Sequence, residues 1–110
     1  MKYHDEFEWD PVKAKANEKK HRGVTFEDAA AVLADGQAEV FHYELPDDPH
    51  SVEEDRVTTF ASHPFDRSVI LRVTWTDRSR KSKQITRIIS ARLATPGERK
   101  QYEKAIIKDK

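Results

Sequence analysis

Residues 69–76, VILRVTWT, alternate without a break: Val69, Leu71, Val73 and Trp75 fall on one side, Ile70, Arg72, Thr74 and Thr76 on the other. A period of two is the pattern of a β-strand whose faces meet different environments, so this stretch demands a sheet with one face in a core. The stretch ITRIISAR, Ile85 to Arg92, is the second apolar strand, and it raises a difficulty. Strict alternation groups Ile85, Arg87, Ile89 and Ala91 against Thr86, Ile88, Ser90 and Arg92. The two arginines then point to opposite faces, and they share a site only if the strand twists strongly, bulges or ends early.

Around these strands the chain punctuates itself clearly. Tyr3 to Trp9 reads as an edge strand with Phe7 and Trp9 on one face. Asp10-Pro11 is a helix start, an acid at the cap and a proline where its missing N–H costs nothing, and the helix runs to about His21. Its apolar side is thin (Val12, Ala14, Ala16), while Lys13, Asn17, Lys20 and His21 share a polar side. Gly23 ends it. Thr25 and Asp28 have capping-box spacing before a second helix, Phe26 to Ala34, expected to bury Phe26, Ala29, Ala30 and Leu33. A strand over Glu39 to Glu44, an acidic loop from Leu45 to Asp55, and a strand over Arg56 to Ala61 follow. After the basic turn Asp77 to Gln84 and the strand from Ile85, Thr95-Pro96 with Glu98 opens a last helix. The expected fold is a single α+β domain over residues 1–110, an antiparallel sheet packed against helices in the order β-α-α-β-β-β-β-α.

Composition limits what such a domain does. Apolar and charged residues each make up 36% of the 110 residues, against roughly 45–50% and about 25% in an ordinary domain. The core is therefore small and the surface dense in charge. The net charge is zero, yet residues 1–55 carry −9 and residues 56–110 carry +9. That asymmetry fits a polyanion partner for the basic half, or two halves that neutralise each other on folding. The absence of cysteine excludes disulfides and thiolate metal sites, and the five histidines show no metal-ligand spacing, so no metal or cofactor is expected. There is no apolar run of membrane-spanning length and no signal-peptide core at the start; the chain reads as cytoplasmic, with no membrane partner.

No glycine-rich phosphate loop, nucleophile elbow or dinucleotide fingerprint is present. Any catalysis must rest on side chains alone, and RNA cleavage suits that limit because the 2′-hydroxyl is a built-in nucleophile. The protein then needs a base, an acid and cations, and arginine binds two phosphate oxygens at once. Each candidate has a functional reading and a structural one. Arg87 and Arg92 fit a phosphate grip or a strand arginine paired at the sheet rim. Arg56, after Glu53-Glu54-Asp55, fits a clamp beside a base or a surface ion pair. His21, at a helix end that favours its charged form, fits a general acid, a phosphate contact or a helix cap.

Three stretches taken together resemble the BrnT family of type II toxin–antitoxin toxins. They are FEWDPVKAKANEKKHRGVTFEDAAAVLAD near the start, EEDR in the middle and RIISARLATPGERKQYE at the end. One residue departs from the pattern: Arg22 intervenes between His21 and Gly23. The acidic loop and the basic turn also look longer than is usual in the family. The resemblance implies a RelE-like ribonuclease fold and metal-independent RNA cleavage that arrests translation. It further implies neutralisation by a ribbon-helix-helix (BrnA-like) antitoxin, the complex reaching promoter DNA through that antitoxin. Carried over by position, it marks His21, Glu54, Arg56, Arg87 and Arg92 as catalytic, and Lys20 and Ser90 as substrate-binding. The competing expectation is a non-catalytic module whose basic half docks an acidic protein segment and serves as a co-repressor.

Overall fold

The computed structural model describes residues 6–34, 43–46, 56–80 and 82–108. Their elements run β1 (Glu6–Glu8), α1 (Pro11–Lys20), α2 (Phe26–Ala34), β2 (Tyr43–Pro46), β3 (Arg56–His63), β4 (Asp66–Asp77), β5 (Ile85–Leu93) and α3 (Pro96–Lys108). The strands form one sheet in the order β1-β5-β4-β3-β2. Strands β2 to β5 pair antiparallel, but β1 lies parallel to β5 at the edge. The sheet is therefore mixed: the antiparallel pairing expected from the sequence holds from β2 to β5, and the parallel edge strand β1 departs from it. The α1–α2 segment carries the chain away from β1 before β2 begins, so β1 and β5 meet without a hairpin to set their direction. The expected loop also begins later than Leu45: Leu45 and Pro46 pair with Thr58 and Val57 in β2, an edge strand where proline is tolerated. Glu39 to His42, the start of the expected second strand, lies outside the described residues.

The cap signals are realised in detail. The Asp10 carboxylate accepts from the Val12 N–H at 2.8 Å, with Pro11 opening α1. Thr25 and Asp28 bond each other's backbone N–H at 3.0 and 3.3 Å, and Thr95 and Glu98 do the same at 3.2 and 2.9 Å. Helix α1 breaks through Arg22 at φ 55° and Gly23 at φ 86°. The residue that interrupts the family pattern is thus absorbed by a left-handed turn, a conformation that glycine takes freely and arginine rarely does.

One face of the sheet meets α1 and α2. Val73, Leu71, Ala61, Ile88 and Ala91 pack there with Val24, Phe26, Ala29 and Val32, and Trp9 meets Phe26 edge-on at 6.0 Å. Val32 is fully buried while Ala30 and Leu33 are only partly so; the buried line of α2 runs Phe26, Ala29, Val32. Helix α1 departs further from expectation. Val12 is 76% exposed, and the buried residue is Asn17. Its amide donates to the carbonyls of Ala91 (2.8 Å) and Val24 (3.2 Å) and accepts from the Ala91 N–H (3.1 Å). Asn17 thus stands in for a neighbouring strand beside β5, past the last residue that β1 covers.

Candidate functional site

The register between β4 and β5 shifts beside Trp75. Thr74 lies opposite Ser90, Trp75 opposite Ile88, and Thr76 opposite Arg87, so Ile89 is an extra residue with no partner of its own. A bulge of this kind resets alternation, because residues on either side of it no longer obey one period of two. Ile88 and Ala91 both face the helix-packed core. Arg87, Ser90 and Arg92 consequently share the opposite face. The expected split of the two arginines is corrected by the bulge, one of the three escapes open to the strand.

Register across the sheet supplies the rest, since residues paired directly opposite share a face. One row reads Arg56–Thr76–Arg87–Glu8, from β3 through β4 and β5 to β1. The next reads Thr58–Thr74–Ser90, and the third Phe60–Arg72–Arg92. Three guanidiniums far apart in sequence, Arg56, Arg87 and Arg92, therefore stand on one face with Ser90 between the latter two. Arg72, which was not among the candidates, joins them. Its signal was present in the alternation of β4, where it falls among threonines on the side away from the core. This face is not fully open. Helix α3 roofs one end, with Tyr102 buried against Phe60 and Ile70.

Two arginines carry their own counter-ions. Arg87 donates to Glu8 at 2.9 Å. Arg92 makes a bidentate pair with Glu98, Nη1 to Oε1 at 2.8 Å and Nη2 to Oε2 at 2.9 Å, and Nη1 also donates to the Leu93 carbonyl. Arg72 approaches the same carboxylate at 3.8 Å. Hydrogen bonds from Arg92 hold the Glu98 pKa down to about 2, against the opposing effect of desolvation; the Thr95 N–H and the charges of Arg92 and Arg72 contribute further. Thr58, Thr74 and Thr76 are buried within these rows, and among the described residues the Thr58 hydroxyl has no hydrogen-bond partner.

His21 lies at the end of α1, its N–H bonded to the Asn17 carbonyl. Its pKa is lowered, first by burial and then by the charges of Lys20 and Arg92. That reverses the expectation that the helix end would favour its charged form: two nearby cations and lost hydration outweigh the dipole. It also places the imidazole within electrostatic reach of Arg92, and neutral at pH 7. Lys20, the residue before it, is exposed. Glu54 lies outside the described residues. A groove lined by Lys15, Ala16, Glu18, Lys19 and Gly23 runs along α1 and contains none of the arginines. Among the described residues no cluster of histidine and acidic side chains suits a metal ion, and no helix is long and apolar enough to cross a membrane.

The site so built is a cationic strip on a mixed sheet, with a neutral imidazole at one margin. Such a strip can bind phosphates and stabilise added negative charge on one of them. No curated protein matches the chain. Residues 9–98 match the family described as the ribonuclease toxin, BrnT, of type II toxin–antitoxin systems, and the chain belongs to that family.

Proposed function

We propose that the chain is an endoribonuclease toxin whose polar sheet face binds single-stranded or ribosome-associated RNA and cleaves it without a metal, arresting translation in the cytoplasm. The observation that carries this reading is the bulge at Ile89, which puts Arg87, Ser90 and Arg92 on the face that Arg56 occupies. Arg56 and Arg87 are separated only by Thr76, roughly 10 Å between Cα atoms by strand spacing, close enough for both side chains to reach one phosphate. In this scheme they hold the scissile phosphate and stabilise its extra charge in the transition state. Glu54, two positions before Arg56 in the sequence, takes the 2′-proton, since the strip residue that His21 feels is Arg92, roughly 15 Å along β5 from Arg87; Ser90 orients a guanidinium or bonds a phosphate oxygen, and Lys20 adds attraction. The 2′-oxygen attacks phosphorus as the bond to the 5′-oxygen breaks, and the departing oxygen takes a proton, leaving a 2′,3′-cyclic phosphate and a free 5′-hydroxyl.

The type II family supports an antitoxin partner. We take the partner to be a ribbon-helix-helix protein that carries the complex to promoter DNA, and the fold to be RelE-like. Incubation of purified protein with single-stranded RNA in EDTA tests the reaction. Cleavage with cyclic-phosphate ends, reduced about 100-fold or more in Arg56→Ala, is the expected result. Intact RNA, with tighter promoter binding when the chain is added to an antitoxin, supports the co-repressor module instead.

A further inference from the structure

Arg92 stands five residues along β5 from Arg87, roughly 15 Å by strand rise, too far for both to grip one phosphate closely. Arg72 lies directly opposite Arg92 in the β4–β5 register, Cα atoms about 5 Å apart. The two guanidiniums thus form a second cationic pair on the same face, and one carboxylate, Glu98, serves both. Two arginines against one glutamate leave this corner with a local excess of one positive charge.

The geometry of that carboxylate is informative. Both terminal nitrogens of Arg92 meet the two Glu98 oxygens in a parallel fork, the arrangement in which arginine binds two phosphate oxygens. Nη1 is further engaged by the Leu93 carbonyl. Glu98 sits in the first turn of α3, joined to the end of β5 only through Ala94 and Thr95. A small movement of that turn away from the sheet would expose the fork. A phosphate has the oxygens to replace the carboxylate and can bridge to Arg72, which Glu98 reaches only at 3.8 Å.

We propose that Arg72 and Arg92 form a subsite for a second RNA phosphate, next to the scissile one, and that Glu98 fills it until RNA displaces it. This rests on the reading of the face as an RNA site. In the free protein the corner is held shut by its own helix, so RNA must exchange an internal ion pair for an external one.

The test is binding of a single-stranded 2′-O-methyl oligonucleotide, which cannot be cleaved, followed by fluorescence anisotropy at fixed ionic strength. Glu98→Gln keeps an oxygen for the Thr95 N–H and so preserves the cap, but releases Arg92. Glu103→Gln removes the same charge from the same helix without touching the fork; Glu103 lies 3.9 Å from Arg99. The expected result is severalfold tighter binding for Glu98→Gln, with a log-affinity slope against log salt steeper by about 0.7, one extra single-strand phosphate contact. Glu103→Gln should change affinity less than twofold. Equal effects of the two variants, or weaker binding by Glu98→Gln, overturn the proposal. A second measurement uses the unaltered protein: the side-chain Nε–H resonances of Arg72 and Arg92 should both shift on adding the oligonucleotide, and if they stay fixed at saturation the subsite is excluded. RNA neither bound nor cleaved by the unaltered protein defeats the RNA-site reading and this one together. Cleavage that depends on Arg56, with the two glutamine variants indistinguishable, defeats the gate alone.

Discussion

The two faces of the sheet are built from the same strands, yet they obey different rules. Toward α1 and α2, Leu71, Val73, Ala61, Ile88 and Ala91 are packed among Phe26, Ala29 and Val32. The buried amide on that side, Asn17, uses both its donor and its acceptor. Toward α3, two of the rows carry arginines, the row between them threonines and Ser90, and the buried Thr58 hydroxyl has no partner among the described residues. A protein selecting only for stability gains little from four guanidiniums on one face, since rim ion pairs contribute about 0–1 kcal/mol each. The contrast teaches that the first face holds the fold and the second is held by it.

A large effect is expected at the seam of the helical side. Asn17→Ala strips partners from the Ala91 N–H and from the carbonyls of Ala91 and Val24. A loss of about 2–4 kcal/mol in urea unfolding is expected, from roughly 1–3 kcal/mol for each buried group left unpaired and partial rescue by water. An unchanged urea midpoint would mean that the amide is dispensable and that the helical side is held by packing alone.

The polar side should show itself through pH. Glu98 is held at about 2 when folded, against an ordinary 4.5. Its contribution is fully present above about pH 4.5 and is lost as pH falls toward 2, because the unfolded chain binds the proton first. Glu98→Gln should flatten that limb of the stability–pH curve; an identical limb would place the acid sensitivity elsewhere. His21 should titrate below 6.5 by NMR, and Arg92→Gln should raise its midpoint by removing one of the cations that depress it. A midpoint indifferent to Arg92 would separate the imidazole from the strip.

The smallest effect concerns the orphan hydroxyl. Thr58→Val exchanges an unpaired buried oxygen for a methyl of similar size, and should be neutral or stabilising by up to about 1 kcal/mol. Destabilisation of that size would show that the hydroxyl is satisfied in solution and that the polar face is better knit than it looks.

Much of the fold was legible because its signals are local. Asp10-Pro11, the Thr25/Asp28 and Thr95/Glu98 boxes and the alternation of Val69 to Thr76 each act within a few residues, and the elements follow them. What depended on distant partners was not legible. The direction of β1 is fixed by pairing with residues about 80 positions away. Asn17 reads as polar on any hydrophobicity pattern, and only the bare backbone of β5 reveals why it is buried. Ile88 and Ile89 are adjacent, so alternation must put one isoleucine among the arginines unless the strand bulges there. That conflict was visible in the sequence; its resolution came from the register with β4. The arginines of β3 and β5 stand out by resemblance and residue type, whereas Arg72, on the polar side of the β4 alternation, joins them only through its register with Arg92.

The central claim is that one face folds the protein and the other does its chemistry. It is tested most directly by placing Leu71→Ala and Arg87→Gln side by side, measuring melting temperature and single-turnover RNA cleavage per folded molecule for each. Leu71 is 2% exposed in the helical core, and its loss should cost about 2–5 kcal/mol while the folded fraction cleaves at the unaltered rate. Arg87→Gln should melt within a few degrees of the unaltered protein and cleave roughly 100-fold more slowly. If Arg87→Gln instead loses stability in step with activity, and its folded molecules cleave normally, the arginines are structural and the division between the faces is contradicted.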